Sequence, residues 1–172
     1  MRYNRLLNYS FTCIFLVMLF WTGCRKQEGP QGAIINPEEW DKIITGVKDA
    51  MRSYGDAVSK LDAEGTIAHY AHESEFRVCF DNQISGYGTF TSQVRKNFAS
   101  LSAIEGEGFT EITVLVLGPN VAAAVAPFRE TFVDKSGNRT SVKGTVTWIW
   151  VRRGTEWKII YGHATHEPDT ES

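Results

Sequence analysis

The chain reads as an α+β domain in which three helices come first and a curved antiparallel sheet follows. Apolar residues recur at three- and four-residue spacing through the first half of the chain, as on the buried stripe of a helix. The second half consists of runs rich in Val, Ile, Thr and aromatics, separated by short turn sequences. No Gly-rich phosphate loop and no internal repeat interrupts either half, which argues against a nucleotide-binding α/β sheet and against a solenoid. A length of 172 residues fits one domain with an appendage. Lys plus Arg number 18 against 20 Asp plus Glu, so there is no cationic excess to neutralise a phosphate backbone, and nucleic acid is not an expected partner.

The first element is a targeting segment. Arg2 and Arg5 precede an apolar stretch over residues 6–21 that is broken only by Asn8, Ser10 and Thr12. A membrane-spanning helix needs roughly 20 apolar residues, and this stretch is shorter, interrupted, and followed by Arg25-Lys26-Gln27-Glu28. It closes on Trp21-Thr22-Gly23-Cys24, which resembles a bacterial lipobox, although Trp21 stands where an aliphatic residue is usual. The resemblance implies a signal peptide over 1–23 and lipidation of Cys24, with a tether over 24–36, a folded domain over 37–167 and a tail over 168–172. The protein would then be held by more than one acyl chain on the extracytoplasmic side of a bacterial membrane. Cys13 leaves with the signal and Cys24 is lipidated, so Cys79 has no intrachain partner and is expected to pack as a small hydrophobe.

Asn36-Pro37-Glu38-Glu39 starts the first helix with a cap, a proline in the first turn and acids at the positive end of the dipole. Trp40, Ile43, Ile44, Val47, Met51, Tyr54, Val58 and Leu61 follow at helical spacing. Asp62 caps a short second helix expected to run to Ala71. A strand over 76–80 turns at Asp81-Asn82, and Phe90, Val94, Phe98 and Leu101 mark a third helix. Strands are expected over 109–117, 121–133, 141–152 and 157–164, joined by Gly118-Pro119-Asn120, residues 134–138 and residues 153–156.

The order of these elements resembles the nuclear transport factor 2-like superfamily, specifically its SnoaL-like branch. The strings that carry the resemblance include Leu61-Asp62 with Tyr70, Gly86 before the third helix, Leu117-Gly118-Pro119-Asn120-Val121-Ala122, and residues 134–137 in the hairpin. The last string is Trp157-Lys158-Ile159-Ile160-Tyr161-Gly162-His163-Ala164-Thr165, where relatives often end His-x-Ser. The resemblance spans roughly residues 40–166. It implies a cone, in which a strongly curved sheet wraps the long helix and opens at one end to a pocket. Members include isomerases, dehydratases, cyclases and epoxide hydrolases, and others that only bind ligands or assemble, so the fold alone does not assign a function.

Strand parity selects the candidate residues. A two-residue turn at Gly154-Thr155 would set Trp150 opposite Ile159, Trp148 opposite Tyr161 and Val146 opposite His163, all on one face; a slip of one residue would instead bring Thr145, Thr147 and Ile149 inward. The first register makes Tyr70, Trp148, Tyr161 and His163 the expected ligand-binding set. His163 is the candidate acid or base, because an imidazole titrates near neutrality. Glu130 alternates with Phe128 and Phe132 and joins it if those rings point inward; with the opposite parity Arg129 takes its place. Tyr54 and Tyr70 can donate to a ligand oxygen or close hydrogen bonds in the core. His69, His72 and His166 lack metal-ligand spacing with Cys or acids, and neither a metal nor another cofactor is expected.

Two functional readings follow. One is a lipid-anchored module that holds a small, partly apolar molecule without catalysis; the other is a lyase or isomerase moving protons through His163 and Glu130. The outer sheet face, assigned Lys158, Ile160, Gly162 and Ala164 with Thr145, Thr147, Ile149 and Val151, is apolar enough to predict a homodimer.

Overall fold

The computed structural model describes residues 35–169; the expected signal, the lipobox with Cys24 and the end of the tail lie outside them. The long helix α1 (Pro37–Ser59) begins as its sequence dictates, with Asn36 Oδ1 accepting the Glu39 N–H at 2.8 Å. Its buried stripe is Ile43, Val47 and Met51. Helix α2 (Ala63–Ala68) is capped by Asp62, whose Oδ1 accepts the Gly65 N–H at 2.9 Å, and ends before the expected Ala71. Strand β1 (Arg77–Phe80) turns through Asp81 and Asn82, at φ 47° and 68°, into a short strand β2 (Gln83–Ser85). Two successive positive φ values make a hairpin turn, for which Asp and Asn are suited. Helix α3 is Tyr87–Ser100.

The sheet is completed by β3 (Leu101–Phe109), β4 (Thr113–Gly118), β5 (Val121–Asp134), β6 (Arg139–Arg153) and β7 (Glu156–Pro168), in the order β2-β1-β7-β6-β5-β3 with β4 also on β5. It is antiparallel except where β1 runs parallel to β7. Strand β3 was not expected: Glu105-Gly106-Glu107-Gly108 has neither β propensity nor an apolar alternation, and the segment is a strand because β5 is long enough to pair with it beyond β4. Extra residues at Ser102 and Glu107 in β3, Leu117 in β4 and Ile160 in β7 bulge the ladders and curl the sheet.

Packing on the concave face alternates large with small. Trp148 and Trp150 on β6 stand beside Ala124 and Ala122 of β5, and all four are at most 1% exposed. The tiny alanines leave room for both indoles under α1, so the helix lies close against the sheet.

The bulge at Ile160 corrects the expected register. Gly154 forms the anticipated turn and Trp150 does pair with Ile159, but beyond Ile160 the partner of Trp148 is Gly162 and that of Val146 is Ala164. The remainder of β7 is therefore turned over. Gly162 and Ala164 point inward and are buried, whereas Tyr161 and His163 are exposed on the outer face. The cause is steric. A Cβ at Gly162 would already lie 3.1 Å from Trp148 and 3.1 Å from Val78, so a tyrosine cannot occupy that place. The change of neighbour fits the bulge: Ile159 exchanges backbone hydrogen bonds with His69 and Ala71, and from Tyr161 onward β7 pairs with β1.

Candidate functional site

The expected ligand set is not brought together. Tyr70 and Trp148 lie in the core, 3% and 1% exposed, while Tyr161 and His163 are on the opposite side of the sheet. His163 is thus not placed to act with Glu130. It sits in register with Cys79 of β1 and Thr147 of β6. The same inversion brings inward the next histidine along the strand. His166 pairs with Gly144, and its ring lies 5.2 Å from that of Phe128. Sequence reasoning missed His166; the available signal was the pair of small residues, Gly162 and Ala164, opposite Trp148 and Val146.

Glu130 does point into the cone. Phe128 is buried, Phe132 and Glu130 are half-buried, and Arg129 on the other face reaches Asp169 at 3.0 Å. Glu130 and His166 line one cavity of about 690 Å³ whose walls include Phe80, Phe90, Phe98 and Phe132. Tyr54 of α1 and Asp81 of the β1–β2 turn line it too. Aromatic walls with a few convergent polar groups suit a small, partly apolar molecule.

Asp81 fixes His166 twice. Its Oδ1 accepts the His166 backbone N–H at 2.9 Å, and Oδ2 lies 2.8 Å from Nδ1. An ionised carboxylate can only accept, so Nδ1 carries a proton, and in the neutral imidazole Nε2 is the nitrogen with the lone pair. Tyr70 donates to the Tyr54 hydroxyl at 3.0 Å, which occupies an acceptor site on Tyr54 and leaves the Tyr54 proton to be donated elsewhere. Burial, together with the nearby Glu130 carboxylate, pushes the Tyr54 hydroxyl up to about 12, even though the Tyr70 bond opposes the shift; it therefore remains a donor at neutral pH.

Burial raises the pKa of Glu130, and the positive charge available to His166 pulls it back in part. The native state then holds this proton more tightly than the unfolded chain does. Its contribution to stability is complete below the unfolded value near 4.5 and is lost as pH rises through the folded value. Glu130→Gln is accordingly expected to leave the urea midpoint nearly unchanged at pH 4 and to raise it at pH 8. A midpoint that falls at pH 8 would contradict the buried-acid assignment.

No protein-family model matches the chain, and no curated protein matches it. Solved structures do. A provisionally assigned dehydratase of the nuclear transport factor 2-like family from Streptomyces avermitilis superposes with a TM-score of 0.64 at 18% identity, covering 75% of this chain and 98% of its own. A provisionally assigned scytalone dehydratase from Novosphingobium aromaticivorans gives 0.70 at 10% identity, with 78% and 91% covered. A nuclear transport factor 2-like superfamily protein from Salmonella enterica gives 0.65 at 14%, with 77% and 95% covered. The fold is therefore the nuclear transport factor 2-like fold, a cone domain of the kind expected from the sequence.

Proposed function

We propose that the cone takes a small, partly apolar carbonyl compound and catalyses its dehydration or isomerisation by proton transfer. The observation that carries this reading is the convergence of Glu130 and the Asp81-held His166 on one aromatic cavity. Nε2 of His166 removes a proton next to the carbonyl. Glu130, whose neutral form is favoured by burial, hands a proton to the departing hydroxyl, and Tyr54 donates to the carbonyl oxygen as charge develops there. The dehydratase assignments of two structural neighbours are consistent with this chemistry.

The competing reading, binding without turnover, draws on the Asp81 carboxylate being 54% exposed, since proton-transfer sites exclude water best when closed. The two are separated by offering the protein a panel of cyclic and aromatic β-hydroxy ketones. Dehydration would appear as the near-ultraviolet band of the conjugated enone. Saturable binding of the panel with no enone formed would leave a binding module.

We further propose that the domain works as a homodimer through the convex sheet face. The bulge changes the composition of that face but not its apolar character. Leu115, Ala123, Ile149 and Tyr161 lie in one row across β4, β5, β6 and β7, and Thr113, Val125, Thr147 and His163 in the next. Neither row holds an Asp, Glu, Lys or Arg, and Leu115 is 59% exposed. An uncharged apolar face is compatible with its own copy across a two-fold axis. Light scattering is expected to give a dimer at tens of micromolar, and Leu115→Lys a monomer; a monomeric parent protein would refute it. Lipid anchoring at Cys24 stands as a parallel proposal, resting on the Thr22-Gly23-Cys24 ending. Cys24→Ser should move the protein from the membrane fraction to the soluble one, and an unchanged distribution would refute it.

A further inference from the structure

A second cavity, of about 450 Å³, borders the first. Tyr54, Ile104 and Glu130 belong to the walls of both. Beyond those three residues the larger one sets Phe80, Phe90, Phe98 and Phe132 among polar groups, whereas the smaller carries the charged side chains of Lys48, Arg52, Asp56, Glu105 and Glu107. Its opening is built into β3. Gly106 pairs with Glu130 and Gly108 with Arg129, so Glu107 is an extra residue inserted next to the partner of the half-buried Glu130. Gly106 has φ 125°, and a Cβ there would lie 2.6 Å from the Arg129 carbonyl oxygen; Gly108 has φ 62°. At Gly106 only glycine meets both the backbone angle and the close approach, and the bulged backbone bends the edge strand.

We infer that this polar opening is a water port, separate from the substrate entrance, through which protons and released water reach Glu130. The inference rests on the proton-transfer reading and supplies a step that reading requires. One dehydration breaks a C–H and a C–O bond, puts the carbon-bound proton on His166 and takes the proton of Glu130 into the departing water. Glu130 is left ionised and His166 protonated, and the next turnover needs a proton returned to Glu130. With substrate or product filling the aromatic cavity, the polar cavity still leads from solvent to Glu130.

Access is tested in the full chain with Cys13, Cys24 and Cys79 changed to Ser and a reporter thiol on the shared wall, Ile104→Cys. The probe is the small cation 2-aminoethyl methanethiosulfonate. Ser59 lines only the polar cavity and Asn97 only the aromatic one, and both side chains are exposed. Ser59→Trp is expected to slow modification at least about tenfold and Asn97→Trp less than about twofold, because thiol reactivity follows access. Glu130→Cys serves as a second reporter on that wall if Ile104→Cys fails to fold. Slowing by Asn97→Trp alone, equal slowing by both, or no modification of either introduced thiol in the folded protein would overturn the port. These measurements read access and not turnover, so the port can fail while the dehydration survives, and the reverse.

Discussion

Replacing His166 by Asn is expected to reduce turnover of any β-hydroxy ketone the protein accepts by about 10²- to 10⁴-fold, the usual worth of a positioned general base. Asn preserves a polar group of similar reach but has no lone pair basic enough to take a carbon-bound proton. Asp81→Asn should also lose rate, because its amide can present a donor to Nδ1 and favour the tautomer in which Nε2 holds the proton. The informative control is His163→Asn. It alters the histidine that simple strand alternation points to, on the convex face, and should leave turnover within about twofold if general-base chemistry is confined to His166. Rate loss at His163 with His166→Asn active would place the chemistry on the wrong side of the sheet and reject the site.

Much of the frame was legible because its signals are local. Asn36 and Asp62 cap helices with their own side chains, and Gly154 turns a hairpin with its own backbone. For Glu130 the sequence offered two parities, with Arg129 in the other; the structure has Phe128 and Phe132 flanking Glu130 on a strand with no bulge between them against β6, which turns the acid inward. Strand β3 was not legible, since Glu105 to Gly108 are strand residues only by virtue of pairing with β5. The site histidine failed for a related reason. Alternation in β7 favours Trp157, Ile159, Tyr161 and His163 as the bulkier inward set, and nothing within β7 itself reports the volume of Trp148 on the neighbouring strand. Parity is a property of one strand, whereas a bulge is dictated by the space that its neighbours leave.

Replacing Gly162 by Leu should cost more stability than deleting Ile160. The bulge residue has no partner of its own: Trp150 pairs with Ile159 and Ile149 with Tyr161, so without Ile160 the two halves of β7 join as a regular ladder of the present parity, with Tyr161 outward and Gly162 and Ala164 inward. The deletion removes one half-buried side chain, at a cost of about 1–2 kcal/mol. Gly162 is different, because a Cβ there would already lie 3.1 Å from Trp148 and 3.1 Å from Val78, two side chains that are each 1% exposed. Forcing a whole side chain into so tight a place costs about 1–3 kcal/mol or more, a large part of the roughly 5–15 kcal/mol that stabilises a domain. Urea unfolding followed by tryptophan fluorescence distinguishes them: the deletion should unfold in one transition slightly before the parent, and Gly162→Leu at a clearly lower midpoint. A Gly162→Leu variant that unfolds with the parent would mean that β7 accepts a side chain between Trp148 and Val78, and the assignment of His166 to the cone would lose its structural reason.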